Sequence, residues 1–300
     1  MSKIEVRAYR GAVPAAFSSL TPKELLPLMQ ELPPSYAALG ASLDGRPVGL
    51  ALASLQAGHP ATGTGGAKTA QLRALAVEPP YRRKGVGRQL LGMLESLLRQ
   101  NGAALMRAEY VGGTEPGSVN AAFLQSCGFA APTPGIHIWS GPLRQVVEDL
   151  PRIERLRLPK EFTFGPLSGL TEEERSAIAH GAGIWYPPIL DPFAEEDQID
   201  REHSLILRYR QVPVGWIIVE QFDSRTVLFK SMFVKEKHQR PARAIALGAE
   251  ACRRIISEGK FTEAIFFVEA ENAEMIRFMN RQIDHPAIHK EILWRTVKSL

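Results

Sequence analysis

Arg82-Arg83-Lys84-Gly85-Val86-Gly87 stands between a strand-like run, Ala70–Val77, and a run of leucines with helical spacing. Pro79 and Pro80 end the strand pattern, and the two glycines allow backbone conformations that other residues resist. Unpaired amide N–H groups and the positive end of the helix dipole favour an anion at the start of a helix. The sequence therefore predicts a strand, a turn and a helix, with an anionic ligand such as a pyrophosphate held at the turn.

The charge distribution supports a local anion site. The chain of 300 residues has 36 Lys and Arg against 32 Asp and Glu, a net charge of +4. Residues 1–150 hold 14 of these cations and 10 of the anions, so the whole excess lies in this half. A nucleic-acid surface usually needs a longer basic stripe, and we expect no nucleic-acid partner. The clustered cations are Arg82, Arg83, Lys84 and Arg88.

Other glycine-rich phosphate motifs fit poorly. A nucleotide P-loop needs a lysine and a hydroxyl residue after its last glycine, whereas Arg88 and Gln89 follow Gly87. A dinucleotide fingerprint needs a third glycine where Leu90 stands. The stretch 63–68 is also rich in glycine, but it precedes a strand, and we interpret it as a hairpin loop.

Composition indicates a globular chain of two domains. Apolar residues make up 45% and charged residues 23% of the chain, and its 300 residues exceed what one core usually supports. The N-terminal residues do not resemble a signal peptide, and no apolar run reaches membrane-spanning length. Cys127 and Cys252 are too few for a disulfide framework or a structural zinc site. We expect a cytoplasmic protein that binds neither membranes nor metal.

The order of the expected elements repeats along the chain. Each half reads as a strand, a helix, a hairpin, a strand, a long helix, a strand, a short helix and a last strand, although little residue identity is visible. One structural unit used twice explains this order. The long helices are expected near 88–100 and 242–258, and the last strands near 136–140 and 288–297. The predicted domains are residues 1–145 and 161–300, with a linker at 146–160.

From Arg82 to Gly87 the chain resembles the GNAT superfamily of acyl-CoA-dependent N-acetyltransferases. The family signature is Gln or Arg, two residues, Gly, one residue, and Gly or Ala, and it is matched in full. The preceding Leu72–Val77 and the later helix and Gly-Phe pair, Ala121–Phe129, are also family-like. The resemblance implies an α/β chain of two tandem GNAT-like domains, each a mixed, splayed central sheet flanked by helices.

The same resemblance implies acetyl-CoA as the cofactor. In the family a bulge opens the strand before the turn, and the freed strand backbone binds the pantetheine arm. The pyrophosphate is expected on the turn and the first residues of the helix. The expected cofactor contacts are Leu75, Ala76, Val77, Arg82, Arg83, Lys84, Gly85, Val86, Gly87 and Arg88, with Asn120 and Phe123 in the following helix.

The general acid is less evident. Direct attack of an amine on a thioester needs a proton removed from the amine and a proton for the departing thiolate. Many relatives place a tyrosine four residues before the Gly of Gly-Phe, where this chain has Leu124. The candidate replacements are Glu109, Tyr110 and Cys127. Each also has a structural interpretation: a salt bridge of Glu109 with Arg107, a packed ring and an inert core thiol.

The second half carries a degenerate turn, Gln239–Ala244. Ala242 replaces the first glycine, and Pro241 removes an amide donor. We interpret this half as structural or substrate-contributing, with a second, weaker CoA site as the alternative. An insertion there has Trp185 and Tyr186 followed by acidic residues between 191 and 202. It is a candidate for attracting a cationic amine, and a solvated loop is the other interpretation.

The sequence therefore predicts an acetyl-CoA-dependent N-acetyltransferase. Its acceptor would be a primary amine of a small molecule or of a peptide. The rival hypothesis is a non-catalytic CoA-binding sensor or interaction module, which Leu124 and the degenerate second turn favour.

Overall fold

A computed structural model describes residues 4–57, 68–148, 158–239 and 241–300. Most of the predicted hairpin loop at 63–68 and of the predicted linker lies outside these residues. The strands are β1 Ile4–Tyr9, β2 Tyr36–Leu43, β3 Arg46–Gln56, β4 Lys68–Val77, β5 Ala103–Gly112, β6 Thr133–Pro142, β7 Phe162–Pro166, β8 Leu205–Tyr209, β9 Val212–Gln221, β10 Thr226–Val234, β11 Glu263–Glu269 and β12 His289–Ser299. The helices are α1 Leu26–Gln30, α2 Val86–Gln100, α3 Val119–Ser126, α4 Leu143–Glu148, α5 Glu172–Ala179, α6 Pro241–Glu258 and α7 Ala273–Gln282.

The chain divides into two compact units. The first comprises Met1–Gly135 with Leu293–Leu300, and the second comprises Ile136–Ile292. These limits differ from the predicted domain limits at two strands, because most of β6 belongs to the second unit and most of β12 to the first. The linker at 146–160 stays a prediction, since most of it lies outside the described residues.

The first unit contains the predicted mixed sheet. Strands β1 to β4 are successive antiparallel neighbours, and β5 adds parallel to β4. The helix α2 lies between β4 and β5 in sequence and supplies the crossover that a parallel pair needs. The next neighbour of β5 is β12, through its part in this unit. The prediction that 136–140 would supply the last strand of this sheet is therefore wrong, because chain order does not determine which strand pairs at a sheet edge.

Strand β3 is the centre of the first unit's core. Val48 and all four residues of 50–53 are buried, as expected for a strand with packed elements on both faces. Leu50 and Leu52 pack in the cluster that contains α1, and Ala51 and Ala53 pack in the cluster that contains α2. The predicted leucine stripe of α2 is confirmed, with buried Leu90, Leu91, Leu94 and Leu98.

The second unit repeats the arrangement. Its strand order is β6-β11-β10-β9-β8-β7, in which β10 and β11 are parallel and the other neighbours antiparallel. Residues of α6 pack with one face of β9, including Val219, and residues of α5 pack with the other, including Trp216. The predicted fold class, two mixed sheets flanked by helices, is confirmed.

The N-terminus of α5 has a capping box, which the spacing of Thr171 and Glu174 favours. Thr171 Oγ1 accepts from Glu174 N at 3.2 Å, and Glu174 Oε2 accepts from Thr171 N at 3.1 Å. The guanidinium of Arg208 also binds Glu174, at 2.7 Å, and this hydrogen bond lowers the pKa of the carboxyl. The cap is thus fixed by an ion pair as well as by backbone bonds.

Thr21 followed by Pro22 is a pair that favours the start of a helix, but the helix does not begin there. Lys23–Leu25 forms a 3₁₀ turn, and α1 begins at Leu26. Thr21 does not cap the helix, because its hydroxyl donates to the carbonyl of Phe17 at 3.0 Å. A preceding 3₁₀ helix, Ala15–Leu20, supplies this acceptor and has no clear sequence pattern.

Among the described helices, none combines the length and the apolarity needed to cross a lipid bilayer.

Candidate functional site

The splay predicted from family resemblance occurs in the middle of β4. Arg73 is an extra residue in the pairing with β3, because Leu52 pairs with Ala74 and Ala53 pairs with Leu72. The parallel pairing with β5 extends only from Lys68 to Leu72. A bulge bends its strand, so β4 leaves β5 at this point. The last part of β4 therefore does not pair with β5. It contains Leu75, Ala76 and Val77.

The turn after β4 has an unusual backbone. Arg83 has φ +62° and Gly85 has φ +81°, so two left-handed residues flank Lys84. Left-handed geometry is unfavourable for a residue with a side chain, and such strain is concentrated at functional sites. Turns of this kind direct successive N–H groups to one side and form anion-binding concavities.

Gly85 is the N-cap of α2. The first helical hydrogen bond runs from Gln89 N to Gly85 O at 2.9 Å. The amides of Val86, Gly87 and Arg88 precede this bond and have no acceptor within the helix. A Cβ built on Gly85 would meet no atom of the described residues within 4 Å, so the N-terminus of the helix is open on this side.

Gly87 has a second role that the sequence did not reveal. A Cβ at this position would lie 3.4 Å from the Phe123 ring and 3.6 Å from Val77 Cγ2. Because Gly87 lacks a side chain, α2, β4 and α3 approach closely here. The structure thus brings together the turn, the open part of β4 and the predicted Phe123.

The four cations of the turn are exposed but differ in their contacts. Arg82 Nε donates to the carbonyl of Val77 at 2.9 Å, which ties the turn to β4. Arg88 donates to Ser126 Oγ at 3.1 Å, and Lys84 Nζ lies 5.6 Å from the centroid of the Tyr81 ring. Arg82 therefore has a structural role in addition to the predicted electrostatic one.

The helix α3 begins at a Ser118 cap, whose hydroxyl accepts from Ala121 N at 3.1 Å. Asn120 lies in the first turn of this helix and is exposed. Phe123, one turn later, packs against Gly87 as described above. Leu124 is buried in the core of the first unit, so the helix presents no acid at the position where relatives carry tyrosine.

The three candidate catalytic residues lie in different environments. The hydroxyl oxygen of Tyr110 is buried and has no hydrogen-bond partner among the described residues. The sequence suggested a salt bridge between Glu109 and Arg107. In the structure Glu109 pairs with Arg295 of β12 instead, whose Nε donates to it at 3.1 Å. Cys127 is half-buried at the end of α3, and its carbonyl accepts from Lys298 Nζ at 2.6 Å.

Trp294 is a neighbour of this region that sequence reasoning missed. Its indole nitrogen donates to Gly113 O at 3.0 Å. A Cβ on Gly112 would lie 3.5 Å from Trp294 and 3.8 Å from Tyr110, so both rings flank this glycine. Trp294 belongs to β12, and only the pairing of β12 beside β5 brings it here.

The second unit repeats the turn in altered form. Gln239 Nε2 donates to Val234 O at 2.8 Å, as Arg82 donates to Val77 O, so Gln239 corresponds to Arg82. By this correspondence Pro241 matches Lys84, yet Pro241 is already the first residue of α6. The turn that precedes α2 is therefore shortened in the second unit.

The acidic insertion is folded back on its own unit. Glu195 binds Lys230 at 2.7 Å, and both Arg175 and Arg201 pair with Glu196. Asp200 accepts from His203 at 2.9 Å. Glu195, Glu196 and Asp200 are thus paired within the unit. They are among the carboxylates that the sequence suggested could attract a cationic amine. Within the described part of the chain, no group of three or more His, Cys, Asp or Glu side chains is placed to hold a metal ion.

Each unit thus has a mixed sheet that splays after a bulge, with a long crossover helix following the splayed strand. This is the fold of the GNAT acyltransferases. Residues 4–129 match the model of the acetyltransferase (GNAT) family.

Solved structures extend the likeness over both units. A tandem GNAT protein from the clavulanic acid biosynthesis pathway, determined without acetyl-CoA, is 16% identical, with 98% of each chain covered and a TM-score of 0.61. A GCN5-related N-acetyltransferase from Sphaerobacter thermophilus is 19% identical, with 97% of this chain and 95% of that chain covered and a TM-score of 0.61. No curated protein sequence matches the chain. The likeness at this identity shows the tandem fold, and the family match of residues 4–129 supports acyl transfer from acyl-CoA.

Proposed function

We propose that the chain is an acetyl-CoA-dependent N-acetyltransferase that acts on a primary amine of a small molecule or a peptide. The observation that carries this proposal is the turn from Arg83 to Gly85. Its two left-handed residues open a helix N-terminus beside the part of β4 that pairs with β3 but not with β5. These two features suit a ligand that has an anionic group for the helix N-terminus and an extended arm that can form hydrogen bonds with β4.

The residues of the turn suit the diphosphate of acetyl-CoA. The amides of Val86, Gly87 and Arg88 would donate to phosphate oxygens, and the absence of a side chain at Gly85 leaves room for them. Arg83 and Lys84 would add charge-assisted bonds, which are stronger than neutral ones. Arg82 would hold the turn in place through Val77.

The open edge of β4 suits the pantetheine arm. The backbone of Leu75 to Val77 would pair with the amides of the arm, much as an added strand pairs with a sheet edge. Phe123 packs at the junction of this edge and the turn, and Asn120 lies one turn earlier on α3. These contacts would direct the acyl group along β4, away from the turn.

Acetyl-CoA would supply an activated thioester, and the chain must orient the amine and provide a proton for the departing sulfur. We propose that the hydroxyl of Tyr110 donates that proton. Its hydroxyl is buried and unpartnered among the described side chains, and it lies on β5 beyond the point where β4 and β5 separate. A hydroxyl held there can donate to a ligand group without first breaking another bond. Glu109 is already bonded by Arg295, and Cys127 lies at the end of α3.

The reaction is tested by measuring thiol release from acetyl-CoA with a panel of primary amines and peptides. We expect release that depends on both enzyme and amine, together with an acetylated amine in equal amount by mass spectrometry. An O- or S-acetylated product, or hydrolysis alone, would contradict amine transfer while leaving CoA binding intact.

Removing the Tyr110 hydroxyl should lower turnover without affecting cofactor binding. We expect Tyr110→Phe to reduce kcat by about a hundredfold or more, the usual contribution of a positioned proton donor, with an unchanged Kd for CoA. Tyr36→Phe, which removes a tyrosine hydroxyl from β2, serves as the control. A Tyr110→Phe enzyme with wild-type kcat would exclude Tyr110 as the acid.

A CoA-binding sensor or interaction module is the second candidate. The observation that favours it is the burial of Leu124 at the usual position of the acid. A sensor would bind acetyl-CoA with saturation but release no thiol with any amine of the panel. The same assay therefore separates the two functions.

A further inference from the structure

The second unit contains its own splayed strand pair. Lys230 is an extra residue in the pairing of β10 with β9, and the parallel pairing of β10 with β11 ends at Phe229. In the first unit the extra residue is Arg73, and the parallel pairing ends at Leu72. The long helices also end alike, at Gly102 with φ +84° and Gly259 with φ +74°. The two units therefore correspond residue by residue from the bulge to the end of the long helix.

A cavity occupies the splay of the second unit. Its volume is about 140 Å³, close to that of an apolar cavity that holds a benzene molecule. It lies among β10, β11, α6 and α7. The rings of Phe229 and Phe266 stack at one side, with centroids 4.6 Å apart. Met275 and Met279 of α7 also line it, and their flexible thioethers can adapt to a bound group.

Small residues on α6 make this space. Gly248 and Ala249 face the cavity, and a Cβ on Gly248 would meet only Ile217, at 4.0 Å. The residue that corresponds to Gly248 in the first unit is Leu91, which is buried in the core. The same helix position is thus filled by a side chain in one unit and left open in the other.

One polar group in the wall has no partner in the part of the chain that the structure describes. The hydroxyl oxygen of Ser231 is buried and makes no hydrogen bond with any described residue, and Ser231 lines the cavity. Lys230, which also lines it, is already bonded to Glu195 and Glu220. Buried hydroxyls are usually paired, so Ser231 offers a defined hydrogen-bonding point in a mostly apolar wall, whose other polar side chains are Lys230 and Gln282.

The head of α6 does not suit a diphosphate. Pro241, its first residue, has no N–H to donate. The left-handed turn that precedes α2 is shortened here, and Ala244 stands where the first unit has Gly87. The ligand of this cavity is therefore not expected to carry the charged nucleotide half of CoA.

We propose that the cavity of the second unit binds a small, neutral, ring-sized apolar molecule that bears one hydroxyl or carbonyl group, which bonds to Ser231. The apolar body lies between the Phe229 and Phe266 pair and the α6 face at Gly248. This site is separate from the proposed transfer reaction and is assigned to the second unit alone.

The test is a fluorine NMR titration of the full chain with 4-fluorophenol and with fluorobenzene. We expect saturable binding of 4-fluorophenol, with a Kd of about 1 mM or tighter. Ser231→Ala should weaken 4-fluorophenol by about threefold to tenfold, the usual contribution of one hydrogen bond, and leave fluorobenzene unchanged. Equal effects on both ligands, or no saturable binding of 4-fluorophenol, would overturn the proposal.

A second variant fills the space directly. Gly248→Leu should reduce binding of both ligands by at least about tenfold, because the new side chain enters the cavity. The matched control is Gly92→Leu on α2, where a Cβ meets nothing within 4 Å and the residue is exposed. Thermal melting verifies that each variant is folded, and the Ser231→Ala comparison stands if Gly248→Leu is not. Two results would overturn the proposal. The first is unchanged binding of both ligands in folded Gly248→Leu. The second is displacement of 4-fluorophenol by CoA in a Gly85→Asp variant, because CoA would then occupy the cavity of the second unit.

Discussion

Gly85→Asp is expected to weaken the binding of coenzyme A by about a hundredfold or more. Gly85 caps α2 with φ +81°, and the space around its absent Cβ is open. A carboxylate there would face the diphosphate that we propose at this turn. Two like charges about 4 Å apart repel by about 4 kcal/mol near a protein surface. Since about 1.4 kcal/mol is a factor of ten in affinity, even partial screening leaves a large loss.

The control is Gly85→Asn, which has the same shape without the charge. Both Asn and Asp tolerate left-handed backbone, so the two variants carry similar strain. Calorimetric titration with CoA at low and high salt measures the difference, which should shrink as salt rises. If the Asp and Asn variants bound CoA equally well, the diphosphate would not lie at this turn.

Lys298→Met is expected to destabilise the protein by about 3 kcal/mol, because it leaves a charge of α2 buried without its main partner. Glu95 is only 6% exposed, and Lys298 Nζ lies 2.7 Å from its Oε1. The same ammonium donates to Cys127 O at 2.6 Å, so one side chain of β12 satisfies groups on α2 and α3. Arg99 approaches Glu95 only to 3.7 Å. Denaturant unfolding measures the loss.

A matched control and a rescue isolate this effect. Lys290→Met removes the partner of Asp284, whose side chain is 77% exposed, and should cost at most about 1 kcal/mol. The double variant Lys298→Met with Glu95→Leu should recover most of the lost stability, because no buried charge remains. A loss in Lys298→Met no larger than that in Lys290→Met would show that the contact contributes little.

The sequence alone predicted most elements of both halves because they are encoded locally. The leucine spacing of α2, the capping box at Thr171 and the proline break before Arg82 each depend on residues within one or two turns. The repeated order of elements indicated one fold used twice. The turn at Arg82–Gly87 predicted the family, since its glycines and cations are contiguous in the chain.

Long-range pairing could not be predicted in the same way. Nothing near residue 109 indicates that Glu109 would bind Arg295, because the contact joins strands far apart in sequence. The role of Gly87 as a contact point for Phe123 likewise depends on how α3 packs against α2. The cavity beside Ser231 arises from a glycine on one element and a splay between two others, so no single stretch of sequence encodes it.

By itself the sequence determined the resemblance to the GNAT family, the two mixed sheets and the position of the basic, glycine-containing turn, because strand alternation, helical spacing and turn chemistry are properties of neighbouring residues. Only the tertiary structure decided which strand completes the first sheet, which candidate side chain has a hydroxyl without a partner among the described residues, and where the second unit has a cavity. These features depend on packing between segments that lie far apart in the chain. No local sequence pattern determines the free energy of such packing.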